Sequence, residues 1–130
     1  PAPMLASLAI RDVVLIDRLD LAFGPGLTAL TGETGAGKSI LLDSLGLALG
    51  ARAEAGMVRA GQAQSSVAAA FLPPPGHPVL AILDEQGIAA EEGGALVLRR
   101  VVQADGRSRA FVNDQPVAVG LLRRIAATLV

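Results

Sequence analysis

The 130-residue sequence predicts an α/β fold in which a mixed β-sheet surrounds one apolar helix and an antiparallel β subdomain lies beside it. Three observations support this prediction. A glycine-rich motif at residues 32–39 separates a β-branched and aliphatic run from an apolar, helix-like run. Strand-like segments come before that motif. Farther along the chain, Asp105-Gly106 joins two more strand-like runs, and this dipeptide strongly favours a β-hairpin.

The first part of the chain has the pattern of β-strands. Residues 5–10 and 13–16 are largely apolar, and residues 18–23 alternate strictly, which is typical of a strand with one face in water. A Gly-Pro-Gly turn at 24–26 leads into a further strand at 27–31. We expect the early segments to pair as a hairpin or meander. This prelude favours a head of the ATP-binding-cassette type, because nucleotide kinases and small GTPases usually open directly on the strand before their phosphate loop.

The motif at residues 32–39 is a complete G-x-x-x-x-G-K-[ST] phosphate-binding loop. Its glycines allow backbone conformations in which consecutive N–H groups converge on a phosphate, and the helix that follows adds positive potential there. Lys38 is the predicted catalytic residue, because its charge would reach the β- and γ-phosphates, and the Ser39 hydroxyl would bind Mg²⁺. The predicted ATP-binding residues are Gly32, Glu33, Thr34, Gly35, Ala36, Gly37, Lys38, Ser39 and Ile40.

The remaining elements follow from periodicity and turn residues. In chain order we predict a helix over 40–49, a loop with a short helical turn over 50–61, a strand over 66–72, a helix over 79–86, strands over 96–104 and 107–112, a turn at 113–116 and a helix over 117–129. The proline cluster at 73–78 separates the strand from the short helix, and Gly87 ends that helix.

Composition excludes several functions. The chain has no cysteine, which rules out disulfides, thiol catalysis and cysteine-ligated metals within it. Aromatic residues make up 2% of the sequence, too few for a base-stacking platform. His77 is predicted to be an exposed loop residue, since no second ligand stands at metal spacing. No signal peptide or long apolar stretch occurs, so we expect a cytoplasmic location and no membrane partner. Residues 1–3 are expected to be extraneous, because Met4 resembles a natural start.

The net charge of −1 hides an asymmetry. Residues 1–98 contain ten acidic and five basic residues, whereas residues 99–130 contain six arginines and two aspartates. Two interpretations stay open for the arginines between Arg99 and Arg124. They form a basic face toward nucleic-acid phosphate, or they are ordinary arginines on solvated strand and helix faces.

Several stretches together resemble the N-terminal part of the RecN family of bacterial DNA repair proteins, which is itself similar to the SMC family of chromosome-organising ATPases. These stretches are residues 31–40, 43–50, 52–55, 57–61 and 107–113. The most specific piece is the phosphate loop joined to Arg52-Ala53-Glu54-Ala55 and to Met57-Val58-Arg59-Ala60-Gly61. The resemblance covers nearly the whole chain from Met4 onward.

The resemblance implies a P-loop NTPase fold of the ABC/SMC head type, of which this chain is the N-terminal lobe only. Residues 1–130 would form the N-terminal half of a head, divided into a β prelude at 4–31, the phosphate loop and its helix at 32–50, and a β-rich remainder with a terminal helix at 51–130. The implied function is that of an ATPase in DNA double-strand-break repair and recombination, with ATP-driven head dimerisation coupled to DNA binding. The implied location is the bacterial cytoplasm, in association with the nucleoid.

The implied partners are the C-terminal half of the same head, a second head that sandwiches ATP, and double-stranded DNA. Arg59 resembles the arginine that SMC-type heads place near the phosphates or the DNA; an exposed loop arginine is the alternative. The glutamine loop of the family would follow a strand that begins near residue 129, so neither Gln103 nor Gln115 takes that role. The signature motif and the catalytic glutamate would also lie outside these 130 residues. Alone, the chain is therefore expected to bind nucleotide weakly and to be inactive as an ATPase.

Two other hypotheses stay open. The run Ala81-Ile82-Leu83-Asp84-Glu85 resembles the acidic strand end of a P-loop ATPase, although its surroundings predict a helix end. If it were catalytic, the chain would be a self-contained P-loop nucleotide kinase or NTPase unrelated to DNA. The third hypothesis is a nucleotide-gated scaffold that dimerises and contacts DNA through the arginines of the region 99–124.

Overall fold

A computed structural model describes residues 5–22, 35–90 and 94–129, and the side chains of residues 35–38 are not among the described features. The described residues form one six-stranded sheet in the order β2-β1-β3-β4-β5-β6, in which all neighbours are antiparallel. The strands are β1 (Leu5–Val13), β2 (Ile16–Ala22), β3 (Gln64–Phe71), β4 (Leu96–Gln103), β5 (Ser108–Val112) and β6 (Gln115–Val117). The helices are α1 (Gly35–Ala48), α2 (Pro78–Glu85) and α3 (Val119–Ala127), with a 3-10 helix at Ala55–Met57.

The early strands pair as the predicted hairpin, but the turn lies at Val14-Leu15. Asp12 and Val14 have φ angles of 54° and 51°, in the left-handed region that β-branched residues such as valine rarely adopt. This irregular end of the hairpin is held by the segment after the 3-10 helix. The amide of Val14 donates to the carbonyl oxygen of Met57 at 2.9 Å, and Val13 forms a β-bridge with Val58.

One face of the sheet carries the core in rows that cross the strands. Leu8, Ala69, Leu98 and Val112 are register partners from β1 to β5, and all four are buried. The helices cover this face with side chains that belong to the same hydrophobic cluster: Leu47 and Ala48 from α1, Val79 and Leu83 from α2, and Leu122 and Ile125 from α3. A fully buried leucine, isoleucine or valine side chain contributes about 1.5–3 kcal/mol, so burial of Leu47 helps to hold α1 against the sheet.

Two details differ from the sequence predictions. His77 lies in the loop before α2 as predicted, but it is half-buried and not exposed, because its Nδ1 accepts a hydrogen bond from the amide of Val79 at 3.1 Å and so caps the helix. The turn after β5 is confined to Asn113 and Asp114, with φ angles of 49° and 66°, and the chain continues at once into β6. We predicted a turn across all of 113–116.

The strand predicted at 27–31, which would make the sheet mixed, lies outside the described residues. The predicted hairpin at Asp105-Gly106, the short helix after the proline cluster and the helical turn within 50–61 are all present. Within the part of the chain that the structure describes, no helix is long and apolar enough to cross a membrane.

Candidate functional site

The helix that follows the phosphate-loop motif is the centre of the candidate site. Gly32, Glu33 and Thr34 lie outside the described residues, and Gly35, Ala36, Gly37 and Lys38 are described as the helical backbone of the first turn of α1. The first turn contains no acidic residue, so no carboxylate there neutralises the positive potential at the N-terminal end of the helix. Ser39 is exposed, which leaves its hydroxyl accessible to a hydrated Mg²⁺, and Ile40 is half-buried against the core.

Helix α1 is fixed to the sheet along its inner side. Leu47 and Ala48 are buried in the core, and Ser44 is fully buried with its hydroxyl donating to the carbonyl oxygen of Ile40 at 2.8 Å. A cavity of about 350 Å³ lies between α1, the β1–β2 turn and the 3-10 helix, with Val14, Ile40 and Met57 in its lining. The second half of α1 is therefore packed against the sheet, and the cavity lies beside the helix from Ile40 onward.

Helix α1 is capped at its C-terminal end by a glycine, Gly50. The amide of Ala51 donates to the carbonyl oxygen of Gly46 at 2.9 Å, and the amide of Gly50 donates to that of Leu47 at 3.1 Å. This pair of bonds is a Schellman motif, which requires a left-handed residue at the Gly50 position. Gly50 has a φ angle of 101°, and a Cβ built on it would lie 3.1 Å from the Cα of Arg123, so α3 passes directly over the cap.

Arg100 is a buried arginine that sequence reasoning missed. It is 3% exposed and stands in a core row of the sheet, between Val67 of β3 and Ala110 of β5. Its Nη1 donates to the carbonyl oxygens of Leu47 at 3.1 Å and Ala51 at 2.7 Å. Arginine has five N–H donors in a fixed fork, which suits several acceptors at once, and a cation at a helix C-terminus is favourable.

The other arm of the Arg100 guanidinium holds Ser108. Nε and Nη2 lie 3.2 Å and 3.0 Å from its Oγ. Burial, and secondarily the charge of Arg123, lowers the pKa of Arg100, although arginine keeps its proton in proteins. The signal for this role was in the sequence, because Leu96, Leu98 and Val102 place position 100 on the inner face by period-two alternation. The interpretation of all the 99–124 arginines as ordinary solvated residues is thus wrong for Arg100.

Arg59 lies at the β1–β2 hairpin. Its amide donates to the carbonyl oxygen of Asp12 at 2.8 Å. Its Nη1 lies 3.6 Å from Asp17 Oδ1 and 3.9 Å from Asp12 Oδ1, and the side chain is 38% exposed. The two carboxylates therefore orient a half-exposed guanidinium, and its contact with phosphate or DNA stays a prediction.

Three further arginines, in β4, in the turn before β5 and in α3, have different surroundings. Arg99 stacks over the Phe111 ring at 4.3 Å from its centroid, Arg107 pairs with Asp105 at 2.7 Å, and Arg124 lies 3.8 Å from Glu85. Asp84 and Glu85 form the exposed end of α2, so the prediction of a helix end at this acidic pair is confirmed.

Comparison with known proteins shows the family. The family model described as AAA domain matches residues 7–72. The chain is 43% identical over 127 residues to the DNA repair protein RecN of Halalkalibacterium halodurans, covering 98% of this chain and 22% of that protein. It is 41% identical over 128 residues to the DNA repair protein RecN of Haemophilus influenzae, covering 98% of this chain and 23% of that protein. The chain thus spans somewhat more than a fifth of the length of these relatives.

A solved structure agrees with the predicted fold. A chain from the work described as "Structural biochemistry of ATP-driven dimerization and DNA stimulated activation of SMC ATPases" superposes with a TM-score of 0.73 at 22% identity, covering 98% of this chain and 80% of that one. This confirms the predicted α/β fold of the P-loop ABC/SMC head type. The resemblance to RecN proteins is confirmed as well, and the chain belongs to the AAA domain family.

Proposed function

We propose that the chain is the ATP-binding part of an SMC-type ATPase that acts in DNA double-strand-break repair and recombination. One observation carries the proposal: the complete phosphate-loop pattern of residues 32–39 runs directly into α1, a helix of 14 residues held firmly against the sheet. The similarity to RecN proteins supports the DNA repair role, and the similarity of fold to an SMC ATPase supports the use of ATP.

The residues present fit ATP and Mg²⁺. The amides of residues 32–39 and the N-terminus of α1 would hold the phosphates, with Ile40 behind them. Lys38 would stabilise negative charge on the γ-phosphate, and the exposed hydroxyl of Ser39 would hold Mg²⁺, which neutralises charge on the phosphate oxygens when it is bound. Groups that orient the attacking water would come from a complementary segment, because the aliphatic run that precedes Asp84-Glu85, residues 79–83, lies in helix α2 and not at the end of a strand.

We propose that this complementary segment is the C-terminal half of the same head, which makes residues 1–130 the N-terminal half. Two completed heads would then sandwich ATP, and Arg59 would face the nucleotide or double-stranded DNA. Support comes from the described SMC structure, whose subject is ATP-driven dimerisation and DNA-stimulated activation of SMC ATPases. It also comes from the fixed, half-exposed position of Arg59 on the hairpin.

The test is nucleotide binding and turnover by the chain, alone and mixed with the C-terminal head segment of a RecN relative, with and without double-stranded DNA. Lys38→Ala removes the predicted phosphate contact, and Arg18→Ala removes one exposed positive charge on β2 as the matched control. We expect weak ATP binding by the chain alone, abolished by Lys38→Ala but kept by Arg18→Ala, and turnover only in the mixture. Lys38-dependent turnover by the chain alone would contradict the half-head proposal and favour the self-contained P-loop kinase or NTPase, with Asp84 and Glu85 as first candidates.

A further inference from the structure

Three arginines line one cavity at the C-terminal end of α1. The cavity has a volume of about 510 Å³ and is lined by Arg52, Arg100 and Arg123 together with Gly50, Ser108 and Val119. Arg52 follows the glycine cap of α1, Arg100 comes from β4, and Arg123 comes from α3. Three separate elements thus bring their guanidinium-bearing residues to one concave surface, and no carboxylate of the described residues lines it.

The positive charge of this arginine cavity is not matched by neighbouring acids. Within the described ranges, Arg52, Arg100 and Arg123 make no ion pair, whereas the acids on nearby elements are used elsewhere. Asp105 is held by Arg107 at 2.7 Å, and Glu85 lies 3.8 Å from Arg124. Arg52 also lines the neighbouring cavity beside α1 together with exposed Asp43 and Glu54, but among the described residues neither carboxylate forms an ion pair with it.

The geometry holds two of the three arginines in place. Arg100 is buried and fixed by its hydrogen bonds to Leu47, Ala51 and Ser108. Arg123 packs against Gly50, since a Cβ built there would lie 2.7 Å from its Cγ. The charge of Arg123 also contributes to the lowered pKa of Arg100, which indicates that the two cations repel each other. An anion between them would relieve that repulsion.

We propose that the arginine cavity binds a phosphate group, at the opposite end of α1 from the phosphate loop. The exposed guanidinium groups of Arg52 and Arg123 can bind phosphate oxygens bidentately, whereas buried Arg100, whose donors are bonded to Leu47, Ala51 and Ser108, adds positive charge behind them. Because α1 has 14 residues, the two ends are separated by about 20 Å, so one phosphate group cannot contact both sites. The phosphate is either part of a DNA backbone, a source that rests on the proposed function, or a free phosphate.

The test compares Arg52→Ala/Arg123→Ala with the control Arg109→Ala/Arg124→Ala, which removes two exposed arginines outside this cavity. Arg100 is kept, because its hydrogen bonds support the fold. One arm measures the Tm with inorganic phosphate against chloride of equal ionic strength. With Lys38→Ala in every protein of this arm, so that the phosphate loop contributes little, we expect phosphate at about tenfold its Kd to raise the Tm by about 4 °C or more in the parent and the control, and to have no effect in the cavity variant.

The second arm measures the anisotropy of a labelled DNA duplex of about 20 base pairs as salt is varied. If the source is DNA, the cavity variant binds at least about tenfold more weakly than the control, and its salt dependence falls by about one unit of slope per lost phosphate contact. Loss of the phosphate effect on Tm with unchanged DNA affinity assigns the site to a free phosphate. The proposal is overturned if the cavity variant and the control agree in both arms. Nucleotide binding, tested with Lys38→Ala, is scored separately, so failure of this site and failure of the ATP site are distinguishable.

Discussion

The Nη1 atom of Arg100 donates a 2.7 Å hydrogen bond to the carbonyl oxygen of Ala51, so a side chain of β4 holds the chain just beyond the end of α1. The same guanidinium reaches the carbonyl oxygen of Leu47 within the helix. The Leu47 carbonyl oxygen, which also accepts from the Gly50 amide, thus gains a second donor, and the Ala51 carbonyl oxygen just beyond the helix receives a buried cation. The anchorage of the phosphate-loop helix thus depends on one residue of a distant strand.

Replacing Arg100 by leucine tests this anchorage. The Ala51 carbonyl oxygen and the Ser108 hydroxyl would lose the Arg100 donor and the Leu47 carbonyl oxygen would keep only the Gly50 amide, so we expect the free energy of unfolding to fall by about 2–3 kcal/mol. Urea unfolding measures it. Arg124→Leu is the control, because its 3.8 Å surface pair with Glu85 contributes less than about 1 kcal/mol. An Arg100→Leu protein as stable as the wild type would mean that the cost of burying the cation cancels its hydrogen bonds.

The glycine cap of α1 gives a second prediction. Gly50→Ala places a side chain at a φ angle of 101° and against the backbone of Arg123, whereas Gly61→Ala meets open space at a φ angle of 85°. Left-handed backbone costs about 1–2 kcal/mol for a residue with a Cβ, and the clash adds about 1–3 kcal/mol at Gly50 only. Thermal unfolding of both variants isolates the steric contribution. Equal destabilisation of the two variants would show that α3 shifts away from the new Cβ at residue 50 without a loss of stability.

In the turn between β5 and β6, two adjacent residues have similar backbone angles but differ in their side-chain hydrogen bonds. Asn113 accepts a 2.9 Å hydrogen bond from the amide of Val97 and donates one to the carbonyl oxygen of Ala89 at 2.9 Å, while Asp114 is 94% exposed at its side chain. Both have positive φ angles. We expect Asn113→Ala to cost about 0.5–1.5 kcal/mol more than Asp114→Ala, because only the first removes two side-chain hydrogen bonds, one of them partly buried. Urea unfolding of the two variants measures the difference. An equal loss of stability would show that the side-chain hydrogen bonds of Asn113 contribute nothing to the free energy of unfolding.

Acid should weaken the fold through two exposed carboxylates. The hydrogen bond from Arg11 holds the pKa of Asp20 below its ordinary value of 3.8, and the hydrogen bonds from Arg107 do the same for the pKa of Asp105. A carboxyl whose pKa is lower in the folded state stabilises it above the unfolded pKa, and that contribution is lost as the pH falls through the folded value. We expect the free energy of unfolding of Asp20→Asn/Asp105→Asn to fall less than that of the wild type between about pH 5 and about pH 3. Above about pH 5 the two curves of stability against pH should run parallel. Urea titrations across this range check it, and curves that stay parallel throughout would refute it.

Local signals in the sequence predicted most of the elements. The Asp105-Gly106 turn follows from the glycine, which adopts a φ angle of 90°, and the short helix α2 follows from the prolines before it and Gly87 after it. The phosphate loop was recognisable because its chemistry requires glycines, lysine and serine at fixed spacing. Such features depend on neighbouring residues alone.

The features that could not be predicted depend on partners far apart in the chain. Arg100 meets Ala51 only because β4 pairs with β3 in one register and α1 crosses that part of the sheet. Arg59 meets Asp17 because the segment after the 3-10 helix bridges the first hairpin. Period-two alternation predicts Arg100 on the inner face of the sheet, but no pattern in the sequence predicts which carbonyl groups accept its hydrogen bonds.

The strand order has a consequence for the kinetics of folding. Val102 pairs with Ser108 across a tight turn, and β6 and α3 follow directly, so this part of the sheet closes short loops at little entropic cost. Leu8 pairs with Ala69 across the entire phosphate loop and α1, a far longer closure. Short-range contacts form faster than long-range ones, and we therefore expect β4, β5 and β6 to nucleate folding. The phosphate-loop motif falls within that longer closure, and if the chain binds nucleotide as proposed, a bound nucleotide would slow unfolding without speeding folding.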